Sequence, residues 1–111
     1  MNLNLNQKYQ QHEIVKAIAC RQFDVNETLS QLRHFEIWSW GATKFVNCAQ
    51  KALQFRVTGL KHKGNVFIAL NAADLYDVVL TTSRGTVKCI MTDIYFDELF
   101  YRMHEKIEVS I

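Results

Sequence analysis

At 111 residues, with 49% apolar and 22% charged side chains, the chain lies in the range of an ordinary folded domain and outside the disordered and collagen-like classes. A formal charge of +2 is close to neutral for this length, which argues against nucleic-acid binding driven by the charge of the whole molecule and leaves a local patch open. No run of about 18 apolar residues occurs, the first residues MNLNLNQKYQQHE are polar, and Cys20, Cys48 and Cys89 are odd in number and far apart, so free thiols, a reducing cytoplasm and no membrane span are expected.

From about Gln7 to Gln22, Ile14, Val15 and Ile18 stand at helical spacing with no glycine or proline between them, which predicts a first helix. Asn26 then reads as the N-cap of a short second helix, with Glu27 at its positive end and Leu29 and Leu32 on one face. Phe35 to Trp40 exchanges helix formers for aromatic and β-branched residues and reads as extended or half-turned; if extended, Trp38 and Trp40 face the same side. From Ala52 the period becomes two: Leu53, Phe55 and Val57 alternate with Gln54, Arg56 and Thr58, the pattern of a half-buried strand. A turn over Lys61–Asn65, with Gly64 supplying a positive φ, leads to VFIAL, where Val66, Ile68 and Leu70 share a face.

LYDVVLTT follows, with Tyr76, Val78 and Leu80 opposite Asp77, Val79 and Thr81; Ser83-Arg84-Gly85 turns the chain into TVKCIMT, where Val87, Cys89 and Met91 alternate with Lys88 and Ile90. Phe96, Leu99, Phe100, Met103 and Ile107 form a helical stripe, started by Asp93 or Thr92 as cap and ending near Arg102, His104 and Lys106. The expected fold class is therefore α+β: an antiparallel β-meander of three or more strands, with one apolar face packed by a C-terminal helix and one or two helices at the N-terminus. The chain reads as a single domain, 1–111, with a helical extension over 1–25 before a core over 26–111, and Leu99, Phe100 and Met103 are predicted to be buried.

Catalytic chemistry has no motif to rest on. His12, His34, His62 and His104 are isolated from one another, and neither Cys-x-x-Cys nor His-x-x-x-His occurs, so no metal or cofactor is expected. Cys20 and Cys89 fall in apolar segments and should be buried and inert, leaving Cys48 as the cysteine placed for exposure. No Gly-x-Ser-x-Gly, P-loop or Gly-x-Gly-x-x-Gly is present; no catalytic residue is assigned, and the expectation is a protein that is not an enzyme. Asp74, Asp77, Asp93, Asp97 and Glu98 have structural roles available in turns and at the start of the last helix.

Two candidate binding surfaces remain. Arg56, Lys61, Lys63, Arg84 and Lys88 lie on or beside the strands and would make a nucleic-acid footprint if their faces coincide, a solvated sheet face being the commoner meaning of such a set. Trp38, Trp40 and Tyr101 are aromatic residues of the kind that anchor protein interfaces.

The run Leu70-Asn71, Asp74-Leu75-Tyr76-Asp77, Arg84-Gly85, Lys88 and Tyr95/Asp97/Leu99, together with TLSQL and WGATKFV upstream, resembles a family of small uncharacterised proteins from bacteriophages and mobile elements of gut bacteria. The resemblance covers Thr28 to Phe100, about two-thirds of the chain. It departs at both ends: the helix before Asn26 is an added piece, and the chain continues as MHEKIEVSI where the family has a Thr-Gly-Leu-Tyr-like tail. The family carries no established activity; it implies a bacterial host cytoplasm and a stoichiometric binding role, such as inhibition of a host defence nuclease, with a host or phage protein as partner and nucleic acid as the alternative.

Overall fold

β-Branched and aromatic residues between short turns fold the middle of the chain into one antiparallel sheet. The structure, a computed structural model, describes residues 2–35 and 37–108, so Val109 to Ile111 of the divergent tail lie outside the described residues. Strands β1 (Thr43–Asn47), β2 (Leu53–Thr58), β3 (Lys63–Leu70), β4 (Tyr76–Thr81) and β5 (Val87–Ile94) lie side by side in chain order. Helices α1 (Gln11–Ile18) and α2 (Val25–Arg33) precede the sheet, α3 (Leu99–Ile107) follows it, and 3-10 turns occupy Ile37–Trp40 and Phe96–Glu98. The expected α+β architecture of a meander, a C-terminal helix and N-terminal helices is the observed one, with β1 an additional strand.

The sequence predicts one apolar sheet face; the sheet has two. On the first, Phe55, Val66, Ile68, Val78 and Leu80 pack with Val25 and Leu32 of α2, with Trp40, and with Leu99, Met103 and Ile107 of α3. On the second, Phe67, Ala69, Val79 and Val87 receive Leu3 and the α1 residues Ile14 and Ile18. Full burial of such a side chain is worth about 1.5–3 kcal/mol, so the second layer is a substantial part of the core. The unbroken apolar runs of β3 and β4 are the sequence mark of strands covered on both faces. The division expected between residues 25 and 26 falls at the first turn of α2, and α1 supplies much of the second apolar layer.

The N-terminal segment is tied to the turn before β5. Asn6 N–H donates to the Val87 carbonyl at 2.8 Å, Val87 N–H to Gln7 at 2.9 Å, and Tyr9 N–H to Gly85 at 3.0 Å. Gly85 has φ +96°, and a Cβ there would lie 2.0 Å from the Tyr9 carbonyl oxygen, so this closure needs glycine.

Several local expectations are corrected. α1 is shorter than Gln7–Gln22 because Lys8 bridges to Thr86 as extended chain. Asp24, not Asn26, caps α2: its Oδ1 accepts Glu27 N–H at 2.9 Å. The β2–β3 turn closes earlier than expected, with Gly59 N–H donating to His62, and Gly64 stands inside β3 opposite Val57. A register shift in the β4–β5 pairing sends Val87 to the second face while Cys89 and Met91 stay on the first. Thr92 and Asp93 belong to β5 rather than to a helix cap, and Phe100 is half-buried, leaving Leu99, Met103 and Ile107 as the buried stripe of α3.

The Asn71–Asp77 run is explained by a turn network. Asn71 Oδ1 accepts Ala73 and Leu75 N–H at 2.9 and 3.2 Å, while its Nδ2 donates to Asp77 Oδ1 at 3.0 Å and to Asp93 Oδ1 at 2.8 Å. Asp77 Oδ1 also accepts the Asp93 N–H at 3.1 Å, which joins the β3–β4 hairpin to β5. Asp74 takes the left-handed conformation, φ 61°, and pairs with Arg21.

His62, buried at the start of the hairpin, carries a pH-dependent part of the stability. Burial pushes its imidazole below the ordinary value, an effect that hydrogen bonds to the backbone of Asn65 and Thr81 partly offset. The unfolded chain therefore takes up this proton more readily, so the contribution is whole above the ordinary 6.5 and is lost as pH falls from there through the folded value. Urea midpoints should fall on acidification below that point, and by less in His62→Gln; equal falls would place the acid sensitivity elsewhere.

Candidate functional site

A 3-10 turn rotates successive residues by about 120°, so residues two apart do not share a side. That geometry separates the tryptophans: Trp38 is 74% exposed and Trp40 is 0% exposed. Trp40 leaves the candidate surface because it is core, held by an indole N–H that donates to His104 Nδ1 at 2.9 Å and by stacking on Phe100 at 5.3 Å between ring centroids. Phe100 in turn stacks on Phe35 at 4.7 Å, and the Tyr101 ring meets Phe35 edge-on at 5.9 Å. The aromatic cluster thus runs from a buried, hydrogen-bonded indole to rings at the surface.

Phe35, Trp38 and Tyr101 are all exposed large aromatics. Phe35 and Trp38 also line a depression of about 310 Å³ with Arg33, Ile37, Ala42 and Phe45, and the Arg33 guanidinium lies 5.1 Å from the centre of the Phe45 ring. Sequence reasoning singles out Trp38 and Tyr101 but misses Phe35 and Arg33. Arg33 ends α2 and Phe35 follows it within two residues, and only the turn of the chain after the helix sets both in one depression with Trp38 and brings Phe35 against the rings of α3. Glu36, inside the expected Phe35–Trp40 segment, lies outside the described residues.

The five basic candidates do not share one surface. Lys61 reaches the C-terminal end of α3, its Nζ donating to the Glu105 carbonyl at 3.2 Å and its N–H to Ile107 at 2.9 Å. Lys63 and Lys88 are exposed on β3 and β5. Arg56 and Arg84 line two neighbouring depressions on the α1 side of the sheet, both bordered by Asn65.

Cys20 and Cys48 depart from their expected exposure, Cys20 being exposed and Cys48 half-buried, while Cys89 is half-buried against the first core layer. Burial raises the thiol pKa of Cys48 and of Cys89, in the latter against the opposing charges of Lys106 and Arg102. Cys20 lies just past the end of α1, outside its apolar stripe. Among the described residues no group of three or more His, Cys, Asp or Glu side chains is placed to hold a metal ion, and no helix is long and apolar enough to cross a membrane.

No protein-family model, curated protein or solved structure matches the chain. The functional reading therefore rests on the surfaces of this molecule.

Proposed function

We propose that the protein is a non-enzymatic binding module that docks a partner protein through the surface of Phe35, Trp38 and Tyr101. The observation that carries this reading is Trp38: a large apolar ring 74% exposed, sharing a depression with the exposed Phe35 and with Arg33, in a chain that keeps its second tryptophan wholly inside; Tyr101 joins the surface through Phe35. Tryptophan, tyrosine and arginine are the residues in which interface energy concentrates. Rings seated on a buried stack lose little freedom when a partner covers them.

The resemblance of the Leu70–Leu99 motif run to small phage and mobile-element proteins supports a host protein as partner, bound in the bacterial cytoplasm, and a stoichiometric inhibitory mode, for example against a defence nuclease. The five basic residues as one nucleic-acid footprint draw no such support, since Lys61 turns away to α3.

The test is capture from nuclease-treated bacterial lysate by wild type, Trp38→Ala, Tyr101→Ala and Lys61→Glu. A partner retained by wild type and Lys61→Glu should be lost by the tryptophan variant, which removes about 2 kcal/mol or more if Trp38 is an anchor. Equal capture by Trp38→Ala and Tyr101→Ala, with melting unchanged, would refute the docking surface.

A further inference from the structure

Three depressions lie around α1, where the helix covers only part of the second sheet face. Gln11 borders all three, and Asn65 borders the first and third. Their walls come from the N-terminal segment, from α1, from the β1–β2 hairpin and from the Ser83–Gly85 turn, so distant stretches of sequence converge there.

The charge on these walls is one-sided. Lys8, Lys16, Lys44, Lys51, Arg56 and Arg84 line them, six of the chain's thirteen lysines and arginines, against one of its eleven acidic residues, Glu13. Glu13 is already engaged, its Oε1 accepting the Gln10 N–H at 3.1 Å. A molecule of net charge +2 thus gathers its positive charge into a concave region, which is where low-dielectric walls focus a field.

A second observation is independent of the charge. Asn65 is 4% exposed, and its Nδ2 has no hydrogen-bond partner. An amide donor buried without a partner is costly, about 1–3 kcal/mol, and such groups are rare in folded proteins. This one stands between the depression that holds Lys8, His12 and Arg84, about 730 Å³, and the one that holds Lys44 and Arg56, about 240 Å³. The ammonium and guanidinium groups, which only donate, and the unpaired Asn65 Nδ2 match the acceptor oxygens of phosphate.

We infer that this cleft binds a small phosphate-bearing ligand of nucleotide size, with Asn65, Arg84 and Arg56 as the phosphate donors. The larger hollow, about 730 Å³, falls in the range of small-molecule sites, about 300–1,000 Å³, and the smaller, about 240 Å³, adjoins it across Asn65. Discrete hollows on either side of one amide fit a compact ligand with adjacent phosphoryl groups better than a long polyanion, which would need Lys61, turned away to α3, as well. The site lies on the sheet face opposite the one that α2 and α3 cover, so it stands whether or not the aromatic surface docks a protein.

The experiment titrates the full chain with pyrophosphate, ADP, adenosine and a short single-stranded oligonucleotide, by calorimetry and by NMR of the Asn65 side-chain amide. Pyrophosphate and ADP should bind and shift the Asn65 amide signals, and adenosine should not. Arg84→Glu and Arg56→Glu should each weaken ADP by about tenfold to a hundredfold, the range for a lost charge-assisted contact, while Lys61→Glu leaves it unchanged. Arg84 is exposed and Arg56 half-buried, and a native melting curve in each variant keeps the comparison valid even if an Asn65 variant fails to fold. No binding of pyrophosphate or ADP at millimolar concentration would overturn the inference, as would binding indifferent to both arginines. Tight binding of the oligonucleotide alone would replace the small ligand with a nucleic-acid strand.

Discussion

Trp40→Ala should lower the unfolding free energy by about 3–5 kcal/mol, the cost of emptying a large aromatic site in a packed core. The ring is fully buried, stacks on Phe100 and His104, and donates to His104 Nδ1, so truncation removes packing, two stacked contacts and a hydrogen bond together. Against a total stability of about 5–15 kcal/mol, this is enough to leave a marginal fold. Trp38→Ala, two residues away, should change stability by no more than about 0.5 kcal/mol, the ordinary result for an exposed position. Urea unfolding of both variants is the measurement. A Trp40→Ala midpoint equal to that of wild type would mean that the indole is not in the core and that the two tryptophans share one surface after all.

Gly64→Ala should be as damaging through a single methyl group. A Cβ at this position would stand 2.1 Å from the Thr81 carbonyl oxygen and within 2.9 Å of the Thr82 backbone, at φ +150°. The obstacle is backbone of the paired strand, which no side-chain rotation relieves, so β3 must part from β4 where both are buried on two faces. Overpacking costs about 1–3 kcal/mol and a backbone region natural to glycine another 1–3, so a loss of roughly 2–6 kcal/mol is expected. Lys63→Ala, at the exposed neighbouring position, is the control. A Gly64→Ala protein with an unshifted midpoint would show that β3 and β4 do not approach this closely.

The elements legible in the sequence are those where one periodicity runs undisturbed. β2 alternates cleanly because one of its faces stays polar, and the stripe Leu99, Met103, Ile107 holds helical spacing through α3. β1 escaped because none of its residues is fully buried and Lys44 breaks its extended backbone with φ 57°. The double burial of β3 and β4 shows in VFIAL and DVVL, where the residues between the alternate apolar positions are largely apolar too, so period two alone does not say that both faces are covered. The relative placement of Trp38 and Trp40 is not legible because a 3-10 turn and a short strand can have similar local composition and opposite consequences for residues two apart. Of the basic cleft, Arg56 and Arg84 stood out as charges beside strands, whereas Lys8, Lys16, Lys44 and Lys51 join them only through the seating of α1.

The order of the strands also bears on how the molecule assembles. Each strand pairs with its neighbour in sequence, so the sheet can grow by successive hairpins, each closing a short loop at small entropic cost. The join between the N-terminal segment and the turn before β5 is far longer in range than any hairpin, linking Lys8 to Thr86, and has no partner until that turn exists. α1 and its segment accordingly belong to the late events of folding and, by the same logic, to the first to open in the native state. Such an opening bares Phe67 and Val79 while the other layer stays closed, and it dissolves the basic cleft without unfolding the sheet. A ligand held in that cleft would act as a clasp on the least cooperative part of the protein, slowing amide exchange along α1 before any change reaches the aromatic face.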